Sequence, residues 1–520
     1  MAGLILLIAC SNVASLLIAR ATARQREMGV RMALGAGSGR LFQQMLVEGG
    51  IVSVAACLLG AVFALWTTPA LVSRLSTWQS LVRLDVSLDG SIFAFLSLVG
   101  VLTVLLFGVS PALRASRVAP GEALKSGGTK QTAKLRVFSP LVAGQIAFSF
   151  IALFVAGLFL ISFANLTSVD VGFDRQGLVV LDIWAKDMTE GAAVRALWQQ
   201  LHDHLNGLAP VESASLSTWA LFGDASWTTT IRLSEHPIDN TQVYVLGISP
   251  QFLQTMRIRL LDGREFVPRD VEPAEPMAVI VNETFARHFF PGENPLAKRF
   301  FEHGAENKLS AREIVGLAED AKYDTLRDAT PPTIYVPQSL GSSATLQVRT
   351  PLDPTALTSL LRTELPRVHP AFNIGDVNLQ STLVDDSILR DRLLALLSGF
   401  FACVASMLTA VGIYGVLNYL VFLRTHEIGI RIALGALRWN VVRLVFSDLA
   451  TLAVIGVAAG LAGAFVLARF ITSLLYEVRA SDSGSLLLPL ALLFLTSALA
   501  ALPPALRASR VDPMVALRHE

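Results

Sequence analysis

Seven stretches of the chain each run for about twenty mostly apolar residues, the length a helix needs to cross the hydrocarbon of a bilayer. They fall at 2–19, 46–68, 91–112, 138–163, 393–422, 444–470 and 485–503. Hydrocarbon offers backbone polar groups no outside partner, so such segments must bond internally as helices. The expected fold is therefore a multi-pass α-helical membrane protein of about seven spans. A mean hydropathy of +0.55 and a charged fraction of only 16% agree with that and exclude an ordinary soluble protein.

The first run does not read as a secretory signal. No basic residue precedes it, whereas Arg20, Arg24, Arg26, Arg31 and Arg40 follow it, the reverse of a signal peptide's order. Loop charge sets the expected orientation. Segments 20–44, 113–137, 423–443 and 504–520 carry 5, 6, 4 and 3 Lys/Arg, against Arg74, Arg83 and Arg479 in the opposite short loops 71–90 and 471–484. The basic loops are expected in the cytoplasm. The N-terminus as given and residues 164–388 then lie outside, and the C-terminus inside. The net charge of +1 gives no reason to expect nucleic acid.

Two signatures occur twice. Arg26-Glu27-Met28-Gly29-Val30-Arg31-Met32-Ala33-Leu34-Gly35-Ala36 returns 400 residues later as His426-Glu427-Ile428-Gly429-Ile430-Arg431-Ile432-Ala433-Leu434-Gly435-Ala436. Each copy lies between two apolar runs, with Glu and Arg four apart in the favourable order for a helical pair and Gly where a helix would end. Pro111-Ala112-Leu113-Arg114-Ala115-Ser116-Arg117-Val118 likewise matches Pro504-Ala505-Leu506-Arg507-Ala508-Ser509-Arg510-Val511. An internal duplication follows, each unit reading span, charged stretch, span, outer loop, span. The second unit has an additional span and a large insert before it. At the 400-residue offset Met1 falls inside a helix of the second copy, as expected of a fragment or a shifted start site.

The expected domains are 1–119, a three-span repeat; 120–137, a cytoplasmic linker; 138–163, a transmembrane helix; 164–388, an α+β extracytoplasmic domain; and 389–520, a second three-span repeat. In 164–388, strands are expected at 177–183, 242–247, 278–281, 313–316, 333–336 and 345–348, and helices at 192–208, 282–290 and 354–364.

Residues for chemistry are hard to find. Ser126-Gly127-Gly128-Thr129-Lys130 lacks the spacing and the strand–helix setting of a phosphate loop. No H-E-x-x-H or G-x-S-x-G string occurs. Cys10, Cys57 and Cys403 all fall within apolar runs and suggest neither a metal site nor a disulfide framework. His202 and His204 are expected to be solvated. Asp262-Gly263 and Pro291-Gly292 are explained by turns. Ser11, Asn12, Ser15, Gln145 and Asn418 are the polar residues deep in the runs; Asn12 and Gln145 are expected to bond to neighbouring helices, and Gly456, Gly460 and Gly463 to mark close helix packing. No catalytic residue, metal site or cofactor site is expected, and no enzyme activity.

The Glu-x-Gly-x-Arg-x-Ala-Leu-Gly-Ala stretch, the Pro-Ala-Leu-Arg-Ala-Ser-Arg signature and an outer domain before the last three spans together resemble MacB/FtsX-type ABC permeases. Ser249-Pro250-Gln251-Phe252-Leu253, Leu261-Asp262-Gly263-Arg264-Glu265-Phe266 and the stretch from Val281-Asn282-Glu283 through Phe290-Pro291-Gly292 are similar to the MacB-like periplasmic core domain. Two halves in one chain without an ATPase resemble the duplicated orphan permeases, each half carrying an FtsX-like repeat. The resemblance implies a bacterial inner-membrane permease subunit working by mechanotransmission. Motion from a separate cytoplasmic ABC ATPase, which would hold the ATP, passes up the spans to the periplasmic domain for efflux or extraction. The alternative is an FtsX-like regulatory protein that controls a periplasmic partner. Membrane lipid surrounds such a chain, and self-assembly is open to it. The ATPase-contact candidates that the resemblance implies are Glu27, Gly29, Arg31, Leu34 and Gly35 with Glu427, Gly429, Arg431, Leu434 and Gly435. Arg26 is replaced by His426 in the second copy, so the two sites differ in charge.

Overall fold

The computed structural model describes residues 1–23, 38–75, 90, 94, 98, 101, 131–185, 191–223, 225–233, 239–272, 274–303, 309–337, 341–479 and 481–510. They form two compact units: a helical unit (Met1–Leu75, Val82–Asn165, Asp391–Glu520) and a second unit (Ser76–Leu81, Leu166–Arg390).

The helical unit begins with α1 (Ala2–Ala23), α2 (Ser38–Leu75) and α3 (Gln131–Thr167). Four helices among the described residues are long and apolar enough to cross a membrane: Pro140–Thr167 within α3, Leu389–Leu423, Arg438–Leu474 and Gly484–Ala508. The apolar windows of α1 and α2 are shorter, Ala2–Val13 and Val54–Pro69. The run expected at 91–112 lies almost wholly outside the described residues. In its most apolar stretch the α3 span is 78% buried and the other three at most 33%, so α3 is the helix around which this unit packs. Its Val142, Ile146, Phe150 and Phe154 are at most 2% exposed.

The second unit is α+β. It runs β1 (Leu178–Ala185), α4 (Ala192–Asn206), β2 (Ser213–Ser217), β3 (Trp227–Leu233), β4 (Asp239–Ile248), α5 (Phe252–Met256) and β5 (Leu260–Gly263). Then come β6 (Met277–Asn282), α6 (Glu283–Phe289), β7 (Arg299–His303), β8 (Leu309–Ala318), β9 (Thr333–Pro337), β10 (Ser343–Arg349), α7 (Pro354–Val368), β11 (Phe372–Leu379) and α8 (Gln380–Ser387). The strands order as β11-β1-β10-β2-β4-β3-β7-β8-β6-β9, with β5 on β8. Because β9 also pairs with β4 in parallel, strands β4, β3, β7, β8, β6 and β9 close into a ring. Closure removes two exposed edges. The ring is filled by Ile231, Val243, Val281, Phe285, Phe300 and Ile334.

The remaining strands, β11, β1, β10 and β2, form an antiparallel layer covered by α4 and α7. Leu197, Leu201 and Leu205 repeat every four residues on α4, as Leu357, Leu361 and Leu365 do on α7. All six are buried in one core against the layer. Asp353 caps α7 by accepting from the amides of Thr355 and Ala356, with Pro354 at the first helical position.

Two of the distinctive strings have structural explanations. Gly263 has φ +82° and a Cβ there would lie 2.3 Å from the Val315 oxygen, so only glycine fits this turn. Asn282 is fully buried with its amide satisfied: Oδ1 accepts from the Phe285 and Thr333 amides and Nδ2 donates to the Pro331 oxygen. It thereby caps α6 and ties that helix to β9.

The helical unit then completes with α9 (Leu389–Leu423), α10 (Thr425–Ala433), α11 (Arg438–Ile471) and α12 (Ser483–Ala508). Gly456 and Gly460 of α11 press on α3: Cβ atoms there would lie 2.7 Å from the Ala143 oxygen and 3.0 Å from the Ala147 oxygen. Gly463 similarly meets Ile151. This is the close approach that small residues permit between membrane helices, as their spacing led us to expect.

Candidate functional site: the charged stretch between two spans

Helix α10 is the second copy of the duplicated stretch. It is short, set between the long helices α9 and α11, and separated from α9 by the single turn residue Arg424. Its apolar side enters the bundle: Ile428 is 2% exposed and belongs to the core of the helical unit, and Gly429 is buried. Its polar side faces out. Arg431 Nη2 donates to Glu427 Oε1 at 2.5 Å, one turn apart, with both side chains 48% exposed. A pair so exposed contributes only about 0.3–0.5 kcal/mol, so its value to the fold is small and both charges remain open to a partner.

The helix ends as its sequence implies. Gly435 has φ +92°, its N–H donates to the Ile432 oxygen at 3.0 Å, and the Ala436 N–H donates to the Arg431 oxygen at 2.9 Å. These two bonds make a Schellman cap, which uses glycine for its left-handed conformation. A Cβ at Gly435 would meet nothing within 4 Å, so backbone conformation, not space, requires glycine here. The cap turns the chain so that Leu434 is 83% exposed, with Leu437 and Trp439 following it at 71% and 69%. The arrangement is an exposed ion pair beside three exposed apolar side chains on a short, firmly terminated helix. It offers a mixed apolar and charged surface for a protein partner.

Glu427, Gly429, Arg431, Leu434 and Gly435 are thus brought together on one helix and its cap. The first-copy candidates Glu27, Gly29, Arg31, Leu34 and Gly35 lie outside the described residues.

The second signature has a role that its sequence does not reveal. Arg507, in the last turn of α12, donates from Nη1 to the Tyr414 hydroxyl at 3.0 Å and to Asn418 Oδ1 at 3.2 Å. Its guanidinium also stands 5.9 Å from the Tyr414 ring centroid. Tyr414 and Asn418 are one turn apart on α9, so one arginine ties the end of the last helix to the helix that carries α10. The distance in sequence hides this contact. Similarly, His202 is buried at 7% exposure, where a solvated ring is expected from the sequence. The α4 stripe that carries it turns toward β2. His204, also expected to be solvated, pairs with Glu364 at 2.9 Å.

Comparison with known proteins places these features. The FtsX-like permease C-terminal family model matches residues 1–120 and 399–513, and the MacB-like periplasmic core domain model matches 146–364. The chain is 34% identical over 124 residues to the uncharacterized ABC transporter permease YknZ of Bacillus subtilis, covering 24% of this chain and 30% of that protein. It is 26% identical over 302 residues to the macrolide export ATP-binding/permease protein MacB 1/2 of Paracoccus denitrificans, covering 54% and 43% respectively. The solved periplasmic region of MacB from Actinobacillus actinomycetemcomitans aligns with 43% of this chain and 97% of its own length, at 16% identity and a TM-score of 0.28. The chain spans less than half the length of these curated relatives. By the family matches, the chain belongs to the MacB/FtsX-type ABC transporter permeases, with FtsX-like permease regions on either side of a MacB-like periplasmic core domain.

Proposed function

We propose that this chain is a permease subunit that couples a separate cytoplasmic ABC ATPase to motion of its periplasmic domain, for efflux or extraction of a substrate. ATP is bound by the partner, and the chain itself performs no chemical conversion. In this reading seven spans form two duplicated units. The basic loops lie in the cytoplasm of a bacterial inner-membrane protein, and the second unit of the fold lies in the periplasm.

The observation that carries the proposal is α10, which buries Ile428 in the bundle while presenting Glu427, Arg431 and Leu434 outward. A partner that grips this surface also grips the bundle, because the helix is anchored at one face. The duplicate at Glu27, Gly29, Arg31, Leu34 and Gly35 supplies a second grip, matching two ATPase subunits. The names of relatives, macrolide export for MacB and pyoverdine export for PvdT of Pseudomonas aeruginosa, favour export.

The test is affinity capture of the full chain from detergent-solubilised membranes. An ABC ATPase should be recovered with the unmutated chain and lost with Glu27→Lys combined with Glu427→Lys. Recovery of no ATPase, or equal recovery with the double variant, overturns the docking role. An export assay in a pump-deficient strain then separates transport from FtsX-like control of a periplasmic partner.

A further inference from the structure

A pocket in the MacB-like domain has the chemistry of a ligand site. Helix α4 carries Arg195, Trp198, Gln199 and His202 at i, i+3, i+4 and i+7, a single stripe. With Leu216 of β2, Ser249, Pro250 and Val271 they line a small, half-open pocket.

His202 supplies the decisive feature. It is 7% exposed, its Nδ1 lies 3.2 Å from Asp203 Oδ1, and its Nε2 has no hydrogen-bond partner among the described residues. A carboxylate only accepts, so the proton of the neutral ring sits on Nδ1 and Nε2 presents a lone pair. Burying such an acceptor unpaired costs on the order of 1–3 kcal/mol, a cost that a ligand donor would remove. One turn or two away on the same stripe stands Arg195, whose guanidinium has no acidic partner among the described residues. Its charge disfavours a bare metal cation at His202 and favours an anion. The rest of the wall mixes apolar Trp198, Leu216, Pro250 and Val271 with the polar Gln199 and Ser249.

We infer that this pocket binds a small hydroxycarboxylate, its carboxylate on Arg195 and its hydroxyl donating to His202 Nε2, with its hydrocarbon against Trp198 and Leu216. The guanidinium supplies paired donors for the carboxylate, and the lone pair of His202 selects for the hydroxyl.

Lactate and propionate, which differ by that hydroxyl, test this in ligand-observed NMR titrations of the full chain in detergent. Lactate should bind at least about fivefold more tightly than propionate, because a site with an unpaired polar group rejects the analogue that cannot pair it. Arg195→Gln should weaken both. His202→Phe should abolish the preference, and His202→Gln, which keeps an acceptor, should restore part of it and guards against a folding defect. No saturable lactate binding, equal binding of the two probes, or a preference that survives His202→Phe in a folded protein overturns the inference.

Discussion

Asn12 Nδ2 donates to the main-chain oxygen of Leu408 at 2.6 Å, a bond between residues 396 positions apart. Gln145 Nε2 reaches the same oxygen at 3.1 Å, so α1, α3 and α9 meet at one carbonyl. Both amides bond to a neighbouring helix, as their position in apolar runs led us to expect. Ser149 and Thr409 join their hydroxyls beside this point. In a bundle packed mostly through apolar side chains, such a polar knot fixes which faces of the three helices meet.

Gly412 makes the knot possible. A Cβ there would lie 2.0 Å from Asn12 Oδ1 and within 2.6 Å of both polar atoms of the Gln145 amide. Gly412→Ala must therefore push all three helices apart or break the amide bonds, costing about 1–3 kcal/mol. Gly399→Ala on the same helix meets only Leu160, at 4.0 Å, and should be close to neutral. Thermal unfolding of the two variants in detergent checks this. Equal midpoints would show that the helices do not pack in this way.

Gly435 tests backbone conformation without crowding. Its φ of +92° is uncomfortable for any residue with a side chain, yet a Cβ there has open space. Gly435→Ala should cost about 1 kcal/mol, spent locally by fraying the cap of α10. Faster amide exchange at Gly435 and Ala436, whose N–H groups make the cap bonds, is the expected signature. Exchange as slow as in the unmutated chain would mean the cap does not depend on glycine.

Both α10 and its cap were legible because their determinants are local. A Glu–Arg pair four apart and a glycine at the helix end are chemistry that a short window contains. The same holds for α4 and α7, where leucines repeat every four residues, and for β9, where Thr333-Ile334-Tyr335-Val336 is rich in strand-forming side chains.

The elements that escaped are those whose apolar pattern is interrupted. In β2 the sequence is Ser-Ala-Ser-Leu-Ser, yet Ser215 and Ser217 are buried, and Gln347 Nε2 donates to the Ser217 hydroxyl at 2.5 Å. In β11, Gly375 lies under the Trp184 ring, where a Cβ would sit 2.6 Å from Cζ3. A polar strand made by its neighbours leaves little trace in its own residues. Likewise, nothing near Arg507 announces Tyr414, and nothing near His202 announces its burial.

Asp270 gives the MacB-like domain an acid-sensitive tie. Burial pushes its carboxyl up, but the Arg264 guanidinium, bonded at 2.5 and 3.0 Å, and the Val267 amide outweigh that and hold it below the usual carboxylate value. A carboxylate with a depressed folded value adds stability above its unfolded pKa of about 3.9 and loses it as pH falls through the folded value. Asp270→Asn should therefore lower the thermal midpoint at pH 7, and the deficit should shrink as pH falls below the unfolded value and through the folded one. A deficit that does not shrink with pH would assign the effect to packing instead.

Strands β7 and β8 hold two ion pairs of very different worth. Arg299 and Glu313 lie directly opposite each other, at 2.8 Å, with the arginine 64% exposed. Arg312 reaches diagonally to Glu302 at 2.6 Å, where the side chains are only 14% and 3% exposed. Water screens the first pair, so Arg299→Ala should cost well under about 1 kcal/mol. Arg312→Leu strands the Glu302 carboxylate in the interior and should cost about 3–5 kcal/mol. Adding Glu302→Leu should then recover most of the loss, because the penalty belongs to the unpaired charge and not to the missing attraction. Denaturant titration of the three variants separates these contributions. A double variant as unstable as Arg312→Leu alone would show that the pair itself, with the Met277 sulfur against the same guanidinium, holds the two strands together.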